Sequence, residues 1–175
     1  MSAVQESTVA SEFVAANEQY AAGFTKGDLP MPPGRKVAVV VCMDARIDPA
    51  RALGLEEGDA HVIRNAGGRA EDAIRSLAIS QEMLGTREIV VIHHTECGSI
   101  RITNDSIRQR LTDSLGSAAS DAAVAIDFLP FTDLEQSVRD DVHALKASPL
   151  LRPETQISGF IFDVKTGRLQ QVDLT

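Results

Sequence analysis

The chain has 175 residues, enough to bury one full core, with 43% hydrophobic and 24% charged residues. Its formal net charge of -8 argues against a nucleic-acid or anionic-membrane surface. No apolar run approaches the length of a membrane span, and aromatics are only 4%, so the expected core is Val, Ile, Leu and Ala.

The N-terminal stretch carries Glu6, Glu12 and Glu18 and lacks the basic start and apolar block of a secretory leader. A reducing, cytoplasmic location is the expectation, in which two cysteines serve as thiols or metal ligands rather than as a disulfide. Val9, Phe13, Ala16 and Tyr20 recur at helical spacing and Gly23 offers a stop, which predicts an amphipathic helix within residues 1–23. A Pro- and Gly-rich connector follows. "KVAVVVC" is short, continuously apolar and β-branched, the pattern of a strand covered on both faces. "HVIRN" predicts a second strand, and "EIVVIHH" a third. Between them, Ile74, Leu77, Ala78 and Leu84 share a helical face that Gly85 ends. Asp48 and Pro49 suit a helix start. "TNDSIRQRL" predicts a helix capped by Thr103 or Asn104. Thr132 and Glu135 have capping-box spacing for a helix whose apolar residues are Leu134, Val138, Val142 and Leu145. Two strands about a Thr166-Gly167 turn close the chain, and residues 114–130 fit no single pattern.

Alternating strands and helices predict an α/β fold, a single domain over residues 1–175 with a mainly parallel sheet and flanking helices. Ligands in such sheets bind at the carboxyl ends of strands whose connections diverge. If the first and third strands are neighbours, that crevice holds both cysteine motifs.

Cys42 ends the first strand, His94 ends the third, and Cys97 follows in His-x-x-Cys. Two thiolates and an imidazole form a zinc set with a fourth position left for water or substrate. Zinc lowers the pKa of its water toward neutrality, although two thiolates cancel its formal charge and weaken that effect. Asp44 and Arg46 lie two apart on the loop leaving the strand, where a bidentate pair would keep the carboxylate ionised. That carboxylate could orient the activated water, or bind the metal itself and close the site. His93 precedes His94 on the strand, so the two rings point to opposite faces, and His61 and His143 read as incidental. Taken singly, either cysteine reads as a buried structural thiol. A cysteine-phosphatase loop fails on spacing, because Arg46 follows Cys42 too soon and Asp48 stands where arginine would be required. "NAGGRA" reads equally as a backbone anion nest or as a tight strand-to-helix turn.

Together "CMDAR", "GDAHVIRNAGG" and "HTECG", in this order, resemble the β-class carbonic anhydrases in their short microbial branch. The resemblance implies a parallel sheet with an added antiparallel edge strand and one Zn2+ per subunit on Cys42, His94 and Cys97. It implies Asp44 and Arg46 as a catalytic dyad, with Asp44 as gate or fourth ligand, and Gly67 and Gly98 near the pocket. It also implies a homodimer or dimer of dimers, with residues 5–22 as a helix lying across the partner. The expected reaction is reversible hydration of carbon dioxide to bicarbonate by zinc-bound hydroxide. The same branch resembles enzymes that hydrolyse carbonyl sulfide or carbon disulfide, and the metal motif does not separate these substrates. The chain departs from better-known branches in lacking a recognisable pocket glutamine and aromatics, and in carrying Ser99 after Cys97-Gly98. An anion- or nucleotide-binding module built on "NAGGRA", and a zinc ion that only holds the fold, are the readings from other classes.

Overall fold

The structure, a computed structural model, describes residues 8–175. Met31–Thr175 forms one compact unit and the segment through Pro30 a second. The segment through Pro30 holds α1 (Val9–Ala22), begun by a capping box in which Thr8 Oγ1 accepts from Ser11 N–H and Ser11 Oγ accepts from Thr8 N–H. The expected helix start at residue 5 lies outside the described residues. No residue of α1 is buried: Phe13 is 70% exposed and Val9 63%.

In the larger unit a five-stranded sheet runs in the order β2 (Ala60–Asn65), β1 (Val37–Cys42), β3 (Glu88–His94), β4 (Gln156–Phe162), β5 (Leu169–Gln171). The first four strands are parallel and β5 is antiparallel, as the sequence pattern and resemblance predict. β1 is central because its residues serve two cores. Ala38 and Val40 enter one apolar cluster with Leu77 of α3 (Ile74–Leu84) and Val138, Val142 and Leu145 of α6 (Leu134–Ala147). Val39, Val41 and Cys42 enter the other, with Ile47, Ile92, Phe131 and Phe162. Through Val41 this alternation is the period-two consequence of a strand with both faces covered, and Cys42 at the strand end joins the cluster of its neighbour Val41.

α2 (Pro49–Leu53) begins at Asp48, whose carboxylate accepts from Arg51 N–H, with Pro49 in the first turn. Thr103 caps α4 (Asn104–Leu115). The unassigned region after it resolves into a Gly116 break and α5 (Ser117–Ala123). One expected cap is corrected. Asp133, not Thr132, caps α6 and accepts from Gln136 N–H, which moves the first turn one residue along. The register of the buried Val138, Val142 and Leu145 decides between these neighbouring cap residues.

The chain leaving β1 turns toward β2 on one side, while the chain leaving β3 turns toward β4 on the other. β1 and β3 are paired in parallel with Val41 opposite Ile92. This divergence opens the crevice at the carboxyl ends of the two strands that carry the cysteine motifs.

Candidate metal centre

Cys42 is the last residue of β1 and His94 the last of β3, and Cys97 caps a 3-10 turn over Gly98–Arg101. Their Sγ and ring-nitrogen atoms lie within 4.8 Å of one another, and all three residues are buried. Both cysteines are free thiols.

The His94 ring is oriented from behind. Nδ1–H donates to the Thr95 carbonyl at 2.9 Å, which leaves Nε2 as the lone-pair nitrogen. Among the described residues, Nε2 is the only buried side-chain nitrogen or oxygen without a hydrogen-bond partner. Such an atom is costly unless a ligand completes it. Its neighbours are two sulfurs, and an imidazole beside two thiols is a donor set for zinc. The residues therefore fit the metal expected of them.

Electrostatics agree with a cation site. The Cys42 thiol is pushed down to about 4, first by its hydrogen bond with Cys97 and against burial, with smaller help from His94 and from the amides of Asp44 and Gly67. That same bond, then burial, pushes the Cys97 thiol up. Burial opposes a charge on His94, but its contacts with Cys42, Thr95 and Asp44 prevail and raise its pKa. Metal ligation requires a thiolate, and the lowered Cys42 thiol meets that requirement.

Asp44 stands beside the trio, its Oδ2 3.8 Å from His94 Nε2. Arg46 grips it by a fork, Nε to Oδ1 at 2.9 Å and Nη2 to Oδ2 at 2.7 Å, and Arg46 N–H also donates to Oδ1. These bonds, the side-chain ones foremost, hold the Asp44 carboxyl far below the usual carboxylate range. Arg64 fastens the loop beneath, donating from Nε to the Cys42 carbonyl and from Nη2 to the Asp44 carbonyl.

The "NAGG" loop is a 3-10 turn over Ala66–Gly68 in which Gly67 and Gly68 both have positive φ. It presses against β1 so closely that a Cβ on Gly68 would lie 2.8 Å from Cys42 N, and one on Gly67 2.9 Å from Ser99 Oγ. Gly67 therefore borders the trio. Gly98 instead faces open space, where a Cβ would meet nothing within 4 Å.

Sequence reasoning missed the groups around this site. Arg69 forks onto Asp141 of α6, Nη2 to Oδ1 at 2.6 Å, and Ala70 N–H donates to the same carboxylate. His93 completes this network with Nε2 3.1 Å from Asp141 Oδ2 and Nδ1 2.8 Å from Ser137 Oγ, its ring stacked on Phe131. The buried Ser137 and Asp141, one helical turn apart on an otherwise apolar α6 face, were the available signal. His61 is hydrogen-bonded to Ser80, away from the trio.

A parallel sheet with an antiparallel edge, carrying two thiols and an imidazole at a strand-end crevice, defines an α/β protein with a candidate metal centre. Residues 37–169 match the carbonic anhydrase family model, and the chain belongs to the β-carbonic anhydrase family. It is 45% identical over 166 residues to beta-carbonic anhydrase 1 of Mycobacterium tuberculosis, covering 94% of this chain and 98% of that one. The solved carbonic anhydrase from Glaciozyma antarctica superposes with a TM-score of 0.89 at 49% identity, covering 99% and 100% of the two chains. A carbon disulfide hydrolase of Saccharolobus solfataricus is 33% identical over 181 residues, covering 91% and 87%.

Proposed function

We propose that this chain is a zinc enzyme that hydrates carbon dioxide reversibly to bicarbonate, with Cys42, His94 and Cys97 as ligands and Asp44 and Arg46 as the catalytic dyad. The observation that carries the reading is the orphaned His94 Nε2 aimed at two thiols, with an ionised carboxylate 3.8 Å away. Zinc held by this set supplies Lewis-acid activation of water near neutral pH. The protein residues do the rest. Arg46 keeps Asp44 ionised and fixes its direction. An ionised Asp44 can only accept, so it orients a water whose hydrogen points toward it and whose lone pair is left for the substrate carbon. The loop at Gly68 packs against the Cys42 backbone too closely for any side chain there.

The test is zinc content by elemental analysis together with hydration rates on wild type and Cys42→Ser. Stoichiometric zinc and activity in the first, and neither in the second, is the expected result. Activity in a metal-free Cys42→Ser protein contradicts the scheme.

The 33% identity to a carbon disulfide hydrolase favours one second reading, hydrolysis of carbonyl sulfide or carbon disulfide at the same centre. Their electrophilic carbon suits the same attack. Rates on each gas with one zinc-loaded preparation decide, and a sulfide rate above the hydration rate overturns the assignment.

Assembly as a homodimer or dimer of dimers belongs to the same proposal. Its support is the exposed apolar residues Val9, Phe13, Val14 and Tyr20 of α1. The larger unit separately leaves a groove of about 280 Å³ on its sheet, lined by Val37, Val39, Leu53, Val90, Phe160 and Leu169. Light scattering should find at least a dimer. A cytoplasmic site of action is also proposed; no described helix is long and apolar enough to cross a membrane.

A further inference from the structure

Glu96 lies between the candidate ligands His94 and Cys97, yet its side chain turns away from them. Its φ of 57° is in the left-handed region, uncommon for a residue with a side chain. From that backbone its Oε2 reaches Arg46 Nη1 at 3.3 Å, and its carbonyl accepts from Arg46 Nη2 at 3.3 Å. Nη1 is the guanidinium nitrogen that Asp44 does not use. The other carboxylate oxygen, Oε1, is held by Lys165 Nζ at 2.6 Å. Lys165 sits in the turn between β4 and β5, where Asp163 Oδ1 accepts from the backbone N–H of both Lys165 and Thr166. The turn is also joined to the ligand loop, because Val164 N–H donates to Thr95 Oγ1.

We propose that Glu96, steadied by Lys165, is a positioning residue that anchors Arg46 through the edge Asp44 leaves free, so that Asp44 keeps the direction in which Arg46 holds it beside His94. This inference rests on the dyad assigned above. Arg46 is 47% exposed, and a single exposed ion pair is too weak to fix so long a side chain. With Asp44 and Glu96 together, all three guanidinium nitrogens are engaged. Alone, Glu96 would compete with Asp44 for the arginine. Lys165 balances its charge, so the order Lys165, Glu96, Arg46, Asp44 alternates in sign along the path to the metal centre.

The experiment uses full-length protein with 15N-labelled arginine. The Arg46 Nε–H signal is identified by its loss in Arg46→Lys, and its solvent-exchange rate is read in Glu96→Ala, Glu96→Gln and Lys165→Met, metal-free and zinc-loaded. We expect exchange to rise about threefold in Glu96→Ala, the scale of an exposed ion pair, and less in Glu96→Gln, which keeps one acceptor. kcat should fall by a similar factor while KM, zinc content and melting temperature hold. Wild-type exchange rates in both Glu96 variants overturn the proposal. So does a kcat loss that tracks zinc loss or melting temperature, because Glu96 then merely supports the ligand loop. If exchange responds while wild type lacks hydration activity, the anchor stands and the assigned reaction falls.

Discussion

His93 and His94 are consecutive on β3, equally buried, and treated in opposite ways. The His93 ring meets Ser137 and Asp141, and Asp141 in turn is held by Arg69 and Ala70 N–H, so the set is closed by the protein alone. The His94 ring has one nitrogen satisfied by Thr95 and the other left facing two thiols. A strand's alternation sends neighbours to opposite faces, so one short segment can build a structural core on one side and a reactive site on the other. Burial of a polar side chain therefore says nothing of its role until its partners are counted.

The largest effect should come from breaking the open side. His94→Ala is expected to abolish stoichiometric zinc and take hydration to the uncatalysed background, while the metal-free protein keeps its fold. Elemental analysis, stopped-flow hydration and thermal unfolding of the metal-free form check this. Normal activity in that variant would remove His94 from the ligand set. Next, Asp44→Ala should keep zinc and lose about 10²- to 10⁴-fold in kcat, the range for a positioned acid or base. Unchanged kcat would leave Asp44 as a gate or a structural partner of Arg46 only.

The open side was legible in the sequence and the closed side was not. Cys42, His94 and Cys97 are scarce residue types, each at the end of an apolar run or one turn beyond it, and local periodicity alone places them. Asp44 and Arg46 meet because they are two residues apart. By contrast Arg69 and Asp141 are 72 positions apart, and only the packing of α6 on the sheet brings them together. Glu96 and Lys165 are as remote, joined by adjacent strand-end loops. Asp133 displaced Thr132 as the α6 cap because helix register is set by tertiary burial, which a local motif does not sense. α5 escaped notice because "SAASDAA" carries no apolar period.

The closed side can be broken in its turn. Asp141→Asn removes the charge facing the half-buried Arg69 and should destabilise the protein by about 2–4 kcal/mol, somewhat under the cost of leaving one member of a fully buried pair. Urea unfolding at neutral pH measures it. Zinc content and kcat of the folded fraction should stay near wild type, since Asp141 does not reach the trio. A variant that keeps wild-type stability but loses zinc would show that the two histidine environments are one system.

The smallest effect is the pH dependence of that same contribution. Burial alone would raise the Asp141 carboxyl above its ordinary 3.8, but His93, then Arg69 and the Ala70 amide, outweigh it and depress the folded-state value. Above 3.8 the carboxylate is charged in both folded and unfolded chains, and the full stabilisation is present. As pH falls below 3.8 the unfolded chain takes up the proton first, and the advantage is lost as pH passes through the lower folded value. The stability difference between wild type and Asp141→Asn should therefore be constant at mildly acidic and neutral pH and close only below 3.8. Subtracting the variant cancels the other carboxylates, Asp44 included, whose shifts have the same sign. A gap that widens toward acid would mean the folded state holds Asp141 protonated, and the Arg69 fork would then be a hydrogen bond to a neutral acid rather than the ion pair that closes this side of β3.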